Sequence, residues 1–191
     1  MMLSDGAVAA LVQDKANENG ISLKIDWIDV RSYANEFKTC MYAGCVKDEN
    51  GDLKGWRELS TNEQNLQSVF SLKQDARYLQ KHIINCGVDH LKVVSKKKNL
   101  NIDKIDWFLP HLSSMFFKDE ANKKLKEAGF DIPKEKWFMN LPKVGNVGAA
   151  SALLMLEELF NSGNLKTGET ILVMVPESAR FSSTYMLLTV V

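Results

Sequence analysis

An excess of charge of either sign is missing from this chain, because 24 basic and 24 acidic side chains cancel across its 191 residues. No long-range field would gather nucleic acid or anionic lipid over the surface, so neither is expected as a partner. Cysteine is scarce: Cys40, Cys45 and Cys86 are odd in number and show no CxxC spacing. That argues against a disulfide framework and gives no zinc signal, and a reducing, cytoplasmic setting is the expectation. No apolar run approaches the roughly 20 residues that span a bilayer, and the N-terminus lacks the basic and apolar regions of a signal peptide. Heptads and solenoid repeats are absent as well. The densest charge run, Lys96-Lys97-Lys98, closes a helical stretch and reads as a solvated last turn with no function assigned.

What is present is enough apolar material, 45% of residues, to bury one sizeable core in a single domain spanning residues 1–191. Met1-Met2-Leu3 runs straight into Ser4-Asp5-Gly6-Ala7 and the apolar Val8 to Val12. A start without a polar lead-in reads as the interior of a domain, and a chain cut from a longer parent is expected.

Alternation and apolar runs predict strands over Ala7 to Val12 and Ser22 to Val30, with Asn17 to Gly20 as the loop between them. The pattern weakens from Ser32 to Ser60, where Asp48-Glu49-Asn50-Gly51-Asp52 is a strong turn signal. Three- and four-residue spacing from Asn65 to Val94 predicts one long helix, or two broken near Gly87. Ile105, Trp107 and Leu109 alternate in a short strand that must end at Pro110. A helix is expected over Ser113 to Ala128, capped by Ser113 or Ser114 and stopped by Gly129. Trp137-Phe138-Met139 is a strand candidate, and the composition of Ala149 to Phe160 predicts a helix. Thr170 to Val175 and Thr184 to Val190 read as strands buried on both faces.

His111 and Asn146 are the candidate catalytic residues, but neither stands out alone. A histidine after a strand more often hydrogen-bonds than reacts, and an asparagine between glycines usually marks a turn. Their settings distinguish them. Asp106-Trp107-Phe108-Leu109-Pro110-His111 and Gly145-Asn146-Val147-Gly148-Ala149-Ala150-Ser151 resemble two signatures of the ketoacyl-acyl carrier protein synthase III family, close to D-W-hydrophobic-hydrophobic-P-H and G-N-x-x-A-A-S. Ser4-Asp5-Gly6-Ala7 is similar to its G-D-G-A turn, and Gly163 to Leu172 to the passage before its last strands. Four matches in the right order cover nearly the whole chain.

The resemblance implies an α/β fold, a thiolase-like half with a mixed central β-sheet and helices on its faces. It implies the C-terminal half of the enzyme, with the nucleophilic cysteine in the first half. Cys40, Cys45 and Cys86 read as structural, since none lies in the small-residue setting of a strand entering a helix. His111 and Asn146 would donate hydrogen bonds to the enolate formed when a malonyl thioester decarboxylates. Expected partners are the N-terminal half of the same enzyme and acyl-CoA or acyl-carrier-protein thioesters, in a homo-oligomer, with no cofactor and no metal. Residues 33–60 read as an insertion. Leu112-Ser113-Ser114-Met115-Phe116 stands where the family has Gln-Ala-Asn and a basic residue that helps dock the carrier protein. Pro176-Glu177-Ser178-Ala179-Arg180-Phe181-Ser182 forms the last loop, where the fatty-acid enzymes carry glycines. These departures favour a specialised pathway, such as polyketide, aryl-polyene or alkylresorcinol formation. Two other readings remain: ester or amide formation without decarboxylation on the same fold, and a non-catalytic half-domain that binds partners.

Overall fold

Along the chain, β1 (Leu23–Ser32) leads into an excursion of short elements: β2 (Met41–Tyr42), β3 (Cys45–Lys47), β4 (Leu53–Gly55), α1 (Thr61–Leu66) and β5 (Lys73–Gln74). Then come α2 (Ala76–Lys98), β6 (Trp107–Pro110), α3 (Lys118–Glu127), α4 (Leu141–Val144), α5 (Ser151–Asn161), β7 (Thr170–Glu177) and β8 (Ser182–Val190). This is a computed structural model, and it describes residues 3–191. Met1 and Met2, which entered the reading of the chain start, lie outside the described residues.

The longer strands form one mixed sheet in the order β1-β8-β7-β6. β6 and β7 are parallel, with Pro110 opposite Met174, and the crossover between them carries α3, α4 and α5. β7 and β8 form an antiparallel hairpin, and β8 pairs antiparallel with β1 across a bulge between Ile25 and Trp27. Side chains alternate across the sheet. Phe108, Leu172, Met174 and Tyr185 meet α2 and α3 on one face. Leu109, Ile171, Val173 and Leu188 meet Ala152, Met155 and Leu159 of α5 on the other. Each such fully buried aliphatic or aromatic side chain is worth roughly 1.5–3 kcal/mol of transfer free energy. The α/β architecture, a mixed sheet with helices on both faces, is the expected one.

α2 starts where the Asp75 carboxylate accepts the Tyr78 N–H at 2.9 Å and stops at Asn99, whose φ of 50° is left-handed. It runs unbroken through Gly87, because there the helix lies against the sheet: a Cβ would stand 3.5 Å from Met174 Cε, and Tyr185 Oη donates to the Gly87 carbonyl at 3.1 Å. Lys97, in the last turn, is not merely solvated, since its ammonium pairs with Asp29 at 2.6 Å.

Other expectations need correction. Ala7 to Val12 forms no strand: a ladder needs a partner, none of the described residues pairs with it, and Leu11 and Val12 are exposed. Leu66, Val69 and Phe70 do not belong to α2, because Ser68 turns left-handed (φ 45°) and β5 intervenes. The third helix begins at Lys118, after a 3-10 turn at Met115–Phe117 that the Ser114 hydroxyl caps by accepting the Phe116 N–H at 3.2 Å. Trp137 makes only an isolated parallel bridge to Phe108. Among the described residues, no helix is long and apolar enough to cross a membrane.

Candidate functional site

The first half of the Asp106-to-His111 segment holds the fold together. The Asp106 carboxylate accepts the Thr170 N–H at 2.8 Å, and Trp107 Nε1 donates to Glu169 at 2.9 Å, so both tie the start of β6 to the start of β7. At the other end the ladder runs one residue past Pro110, where the His111 N–H donates to the Met174 carbonyl at 2.8 Å. His111 therefore stands at the carboxyl end of the parallel pair, and alternation from Trp107 and Leu109 puts it on the α5 side. Its side chain is buried, at 8% exposure, and makes no hydrogen bond among the described residues. Burial lowers its pKa below the ordinary value of 6.5, so the ring is neutral at pH 7.

Asn146 comes from the loop that enters α5. Because α5 returns the chain to the start of β7, its N-terminus lies at the same carboxyl end of the sheet. Gly145 has φ 76° and ψ −172°, a region open essentially to glycine alone, and a Cβ there would overlap the Ser4 hydroxyl. Asn146 Oδ1 accepts the Gly148 N–H at 3.0 Å, and Ser151 Oγ accepts the Val147 N–H at 3.1 Å. These bonds orient the Asn146 amide and leave its Nδ2 group without a partner among the described residues. From below, the Ser4 N–H donates to the Asn146 carbonyl at 2.7 Å, and Gly6 packs against Val147. The Ser4-to-Ala7 turn is thus a support for the asparagine loop.

A cleft of about 430 Å³ opens beside this loop, lined among others by Ser4, Ser113, Ser114, Met115, Leu141 and Asn146. It joins the asparagine loop to the segment that follows His111, while His111 itself does not line it. Phe116 stands exposed at this end of the molecule. A second cavity, about 490 Å³ at the end of α2, is lined by Lys96, Asn99 and Phe130 and involves neither candidate residue.

The three cysteines are free and buried. Burial pushes the Cys86 thiol up to about 11 and raises that of Cys40, so both stay protonated and inert at neutral pH. Among the described residues no cluster of histidine, cysteine, aspartate and glutamate is placed to hold a metal. One polar constellation centres on His90, which lies within the apolar helical spacing of α2. His90 Nδ1 meets Ser183 Oγ at 2.6 Å and Nε2 meets Asp29 at 3.0 Å. The three residue types suggest nucleophilic chemistry, but His90 is 0% and Ser183 1% exposed. No substrate reaches that hydroxyl, and the network joins α2 to β8 and β1. Its only sequence signal was an ionisable residue on a helix face otherwise apolar.

A family described as 3-oxoacyl-[acyl-carrier-protein (ACP)] synthase III C terminal matches residues 95–176, a stretch that contains His111 and Asn146. The chain is similar to the beta-ketoacyl-[acyl-carrier-protein] synthase III of Clostridium perfringens, at 27% identity over 173 residues, covering 91% of this chain and 48% of that protein. Among solved structures it is similar to beta-ketoacyl-[acyl carrier protein] synthase III from Thermus thermophilus, with a TM-score of 0.64 and 20% identity, covering 92% of this chain and 48% of that one. The tetronic acid condensing enzyme AbyA1 gives a TM-score of 0.64 at 15% identity, with 87% and 47% covered. The fold is thiolase-like, and the chain spans about half the length of the relatives it matches along most of its own.

Proposed function

We propose, for a chain that belongs to the ketoacyl-acyl carrier protein synthase III family, that it forms the C-terminal catalytic half of a synthase III-like acyltransferase performing decarboxylative Claisen condensation. The cysteine nucleophile would come from an N-terminal half, since the thiols of this chain are buried and structural. The substrates would be acyl-CoA or acyl-carrier-protein thioesters, and the stretch at residues 33–60 would be an insertion relative to the family.

The chemistry follows from two donors. When a malonyl thioester loses carbon dioxide, the electron pair of the breaking carbon–carbon bond moves into an enolate, and negative charge collects on the thioester oxygen. Neutral N–H groups fixed toward that oxygen lower the barrier, because they need not reorganise as the charge appears. His111 Nε2–H and Asn146 Nδ2–H would be those donors. The enolate carbon then attacks the acyl group on the cysteine, a carbon–carbon bond forms, and the thiolate departs. The observation that carries this reading is that one signature segment ends and the other begins at the carboxyl edge of one sheet, with a neutral imidazole and a carboxamide N–H that no group among the described residues occupies.

The experiment uses the full-length protein with its nucleophile. His111→Ala and Asn146→Ala should each slow decarboxylation by about 100- to 1,000-fold while acylation of the cysteine persists. Condensation at the parental rate by either variant would mean that the residue is misassigned. Loss of acylation together with condensation would favour a non-decarboxylating acyltransferase instead.

A further inference from the structure

The excursion between β1 and α2 folds back onto the turn that follows β7. Beyond the end of β1, the Tyr33 N–H donates to the Phe181 carbonyl at 2.9 Å and the Cys40 N–H to the Ala179 carbonyl at 2.8 Å. The Arg180 guanidinium donates to the Ala34 carbonyl at 3.2 Å. From within the turn, the Glu177 carboxylate accepts the N–H groups of Ala179 and Arg180 and the Ser182 hydroxyl. Phe181 holds the remaining side: its φ is 56°, a conformation that a bulky residue rarely adopts, and its ring is buried among Phe37, Tyr78 and His82. A turn without glycine is thereby kept in one shape from three directions.

Its position gives that rigidity a use. β7 is parallel to β6 and outlasts it, so Glu177 lies three residues beyond Met174, the partner of the His111 N–H. At a rise of about 3.3 Å per residue, the turn stands about 10 Å further along the sheet. Alternation from Ile171 and Val173 puts Val175 and Glu177 on the α5 side, the side of His111. In open α/β sheets ligands collect outside the carboxyl ends of the strands. The turn stands beside that space.

We propose that the Tyr33-to-Asp75 excursion is a clamp on this turn, with Glu177 and Arg180 as positioning residues, and that the clamped turn sets which acyl groups the condensation accepts. This rests on the condensation reading above. A turn of unrestrained residues would yield to a longer acyl chain, whereas a turn tied to the excursion at Tyr33, Ala34 and Cys40 does not. One methylene more or less in an apolar pocket is worth about 10- to 200-fold in selectivity.

The test uses the full-length protein and a series of straight-chain saturated acyl-CoA thioesters of increasing length, with Glu177→Ala, Glu177→Gln and Arg180→Ala. Glu177→Ala is expected to change the ratio of kcat/KM between short and long acyl groups by about tenfold or more, through KM rather than kcat. Arg180→Ala should act in the same direction more weakly. Glu177→Gln keeps a carbonyl oxygen for the turn amides and should restore most of the parental profile. Circular dichroism and Tm identify any variant that fails to fold, and hydrogen exchange at Ala179 and Arg180 reads whether the turn has loosened. An unchanged acyl profile in folded Glu177→Ala overturns the clamp, and so does an equal loss at every chain length; both leave the condensation reading intact. A parent that condenses no acyl group at all removes the condensation reading and the clamp together.

Discussion

The two faces of the central sheet are finished differently. On the α2 and α3 face, apolar side chains are covered and a polar network is built in, with His90 held between Ser183 and Asp29, Lys97 completing the pair on Asp29, and Tyr185 donating to the Gly87 carbonyl; Arg31 Nε alone is buried there without a partner among the described residues. On the other face, α5 covers β6, β7 and the Leu188 end of β8, and leaves the far end of β8 and β1 open. Across β1 and β8, Ile28 and Val30 are 53% and 66% exposed, and Leu153, Leu154, Leu156 and Phe160 of α5 are only half buried. The candidate donors, the His111 ring and the Asn146 Nδ2 group, are also on that side and have no partners among the described residues. Uncovered apolar groups and the two candidate donors thus occur together on one face. The closed face is where stability is built.

The sharpest way to break this contrast is to remove one histidine from each face and compare. His90→Ala leaves Ser183 and Asp29 without their partner and opens a cavity in a filled core, which should cost about 2–4 kcal/mol. His111→Ala removes a ring that makes no hydrogen bond and should cost about 1 kcal/mol or less. Urea unfolding of the two variants against the parent chain measures the difference. Equal costs would mean that the faces are not specialised as described. The order should invert in the full-length protein, where the less destabilising change, at His111, is the one expected to slow condensation.

A smaller effect tests the open face. A contiguous apolar surface larger than a few hundred Å² is rarely left bare, so this chain by itself should associate with rising concentration, through the Ile28, Val30 and α5 surface. Val30→Lys should shift it toward monomer, by about tenfold in dissociation constant if the side chain lies centrally in the contact. Light scattering at several concentrations decides the matter. A parent that stays monomeric throughout would show that the bare strip needs no cover.

How much of this was legible beforehand depended on whether a signal was local. The apolar runs of β7 and β8, Pro110 closing β6 and the composition of α5 each carry their own evidence, and those elements formed. Ala7 to Val12 had a strand-like composition but no partner among the described residues, and composition cannot supply one. Leu66, Val69 and Phe70 continued the spacing of α2 by accident, across a left-handed Ser68 that no periodicity count reveals. Gly87 left open one helix or two, because its reason, close approach to Met174 and Tyr185, comes from far along the chain. For the site, His111 and Asn146 stood out only through the wording around them. Asp106 and Trp107, in the same wording, turned out to fasten β6 to β7. The support of Asn146 by Ser4, the satisfied His90 network and the hold of Tyr33 to Cys40 on the Glu177 turn are all long-range contacts, invisible in any local pattern.

The smallest effect expected is also the most direct probe of the open face, the protonation of His111. Among the described residues no carboxylate favours the charged ring, and burial lowers its pKa from 6.5. In the unfolded chain the same ring titrates at the ordinary value. Between 6.5 and the lower folded value, the unfolded state therefore binds the proton that the folded state refuses, and stability must fall as the pH is lowered through that window. Above 6.5 both states are neutral and the contribution is fully present. The pH dependence of stability in His111→Ala should accordingly be flatter than that of the parent on the acid side of 6.5 and parallel to it on the alkaline side. NMR titration of the ring, assigned by its loss in the same variant, should give a midpoint below 6.5. A midpoint at or above that value would mean that a negative group or open solvent faces the imidazole. The ring would then be charged over part of the neutral range, and a donor meant to stay neutral until an enolate forms could not be His111.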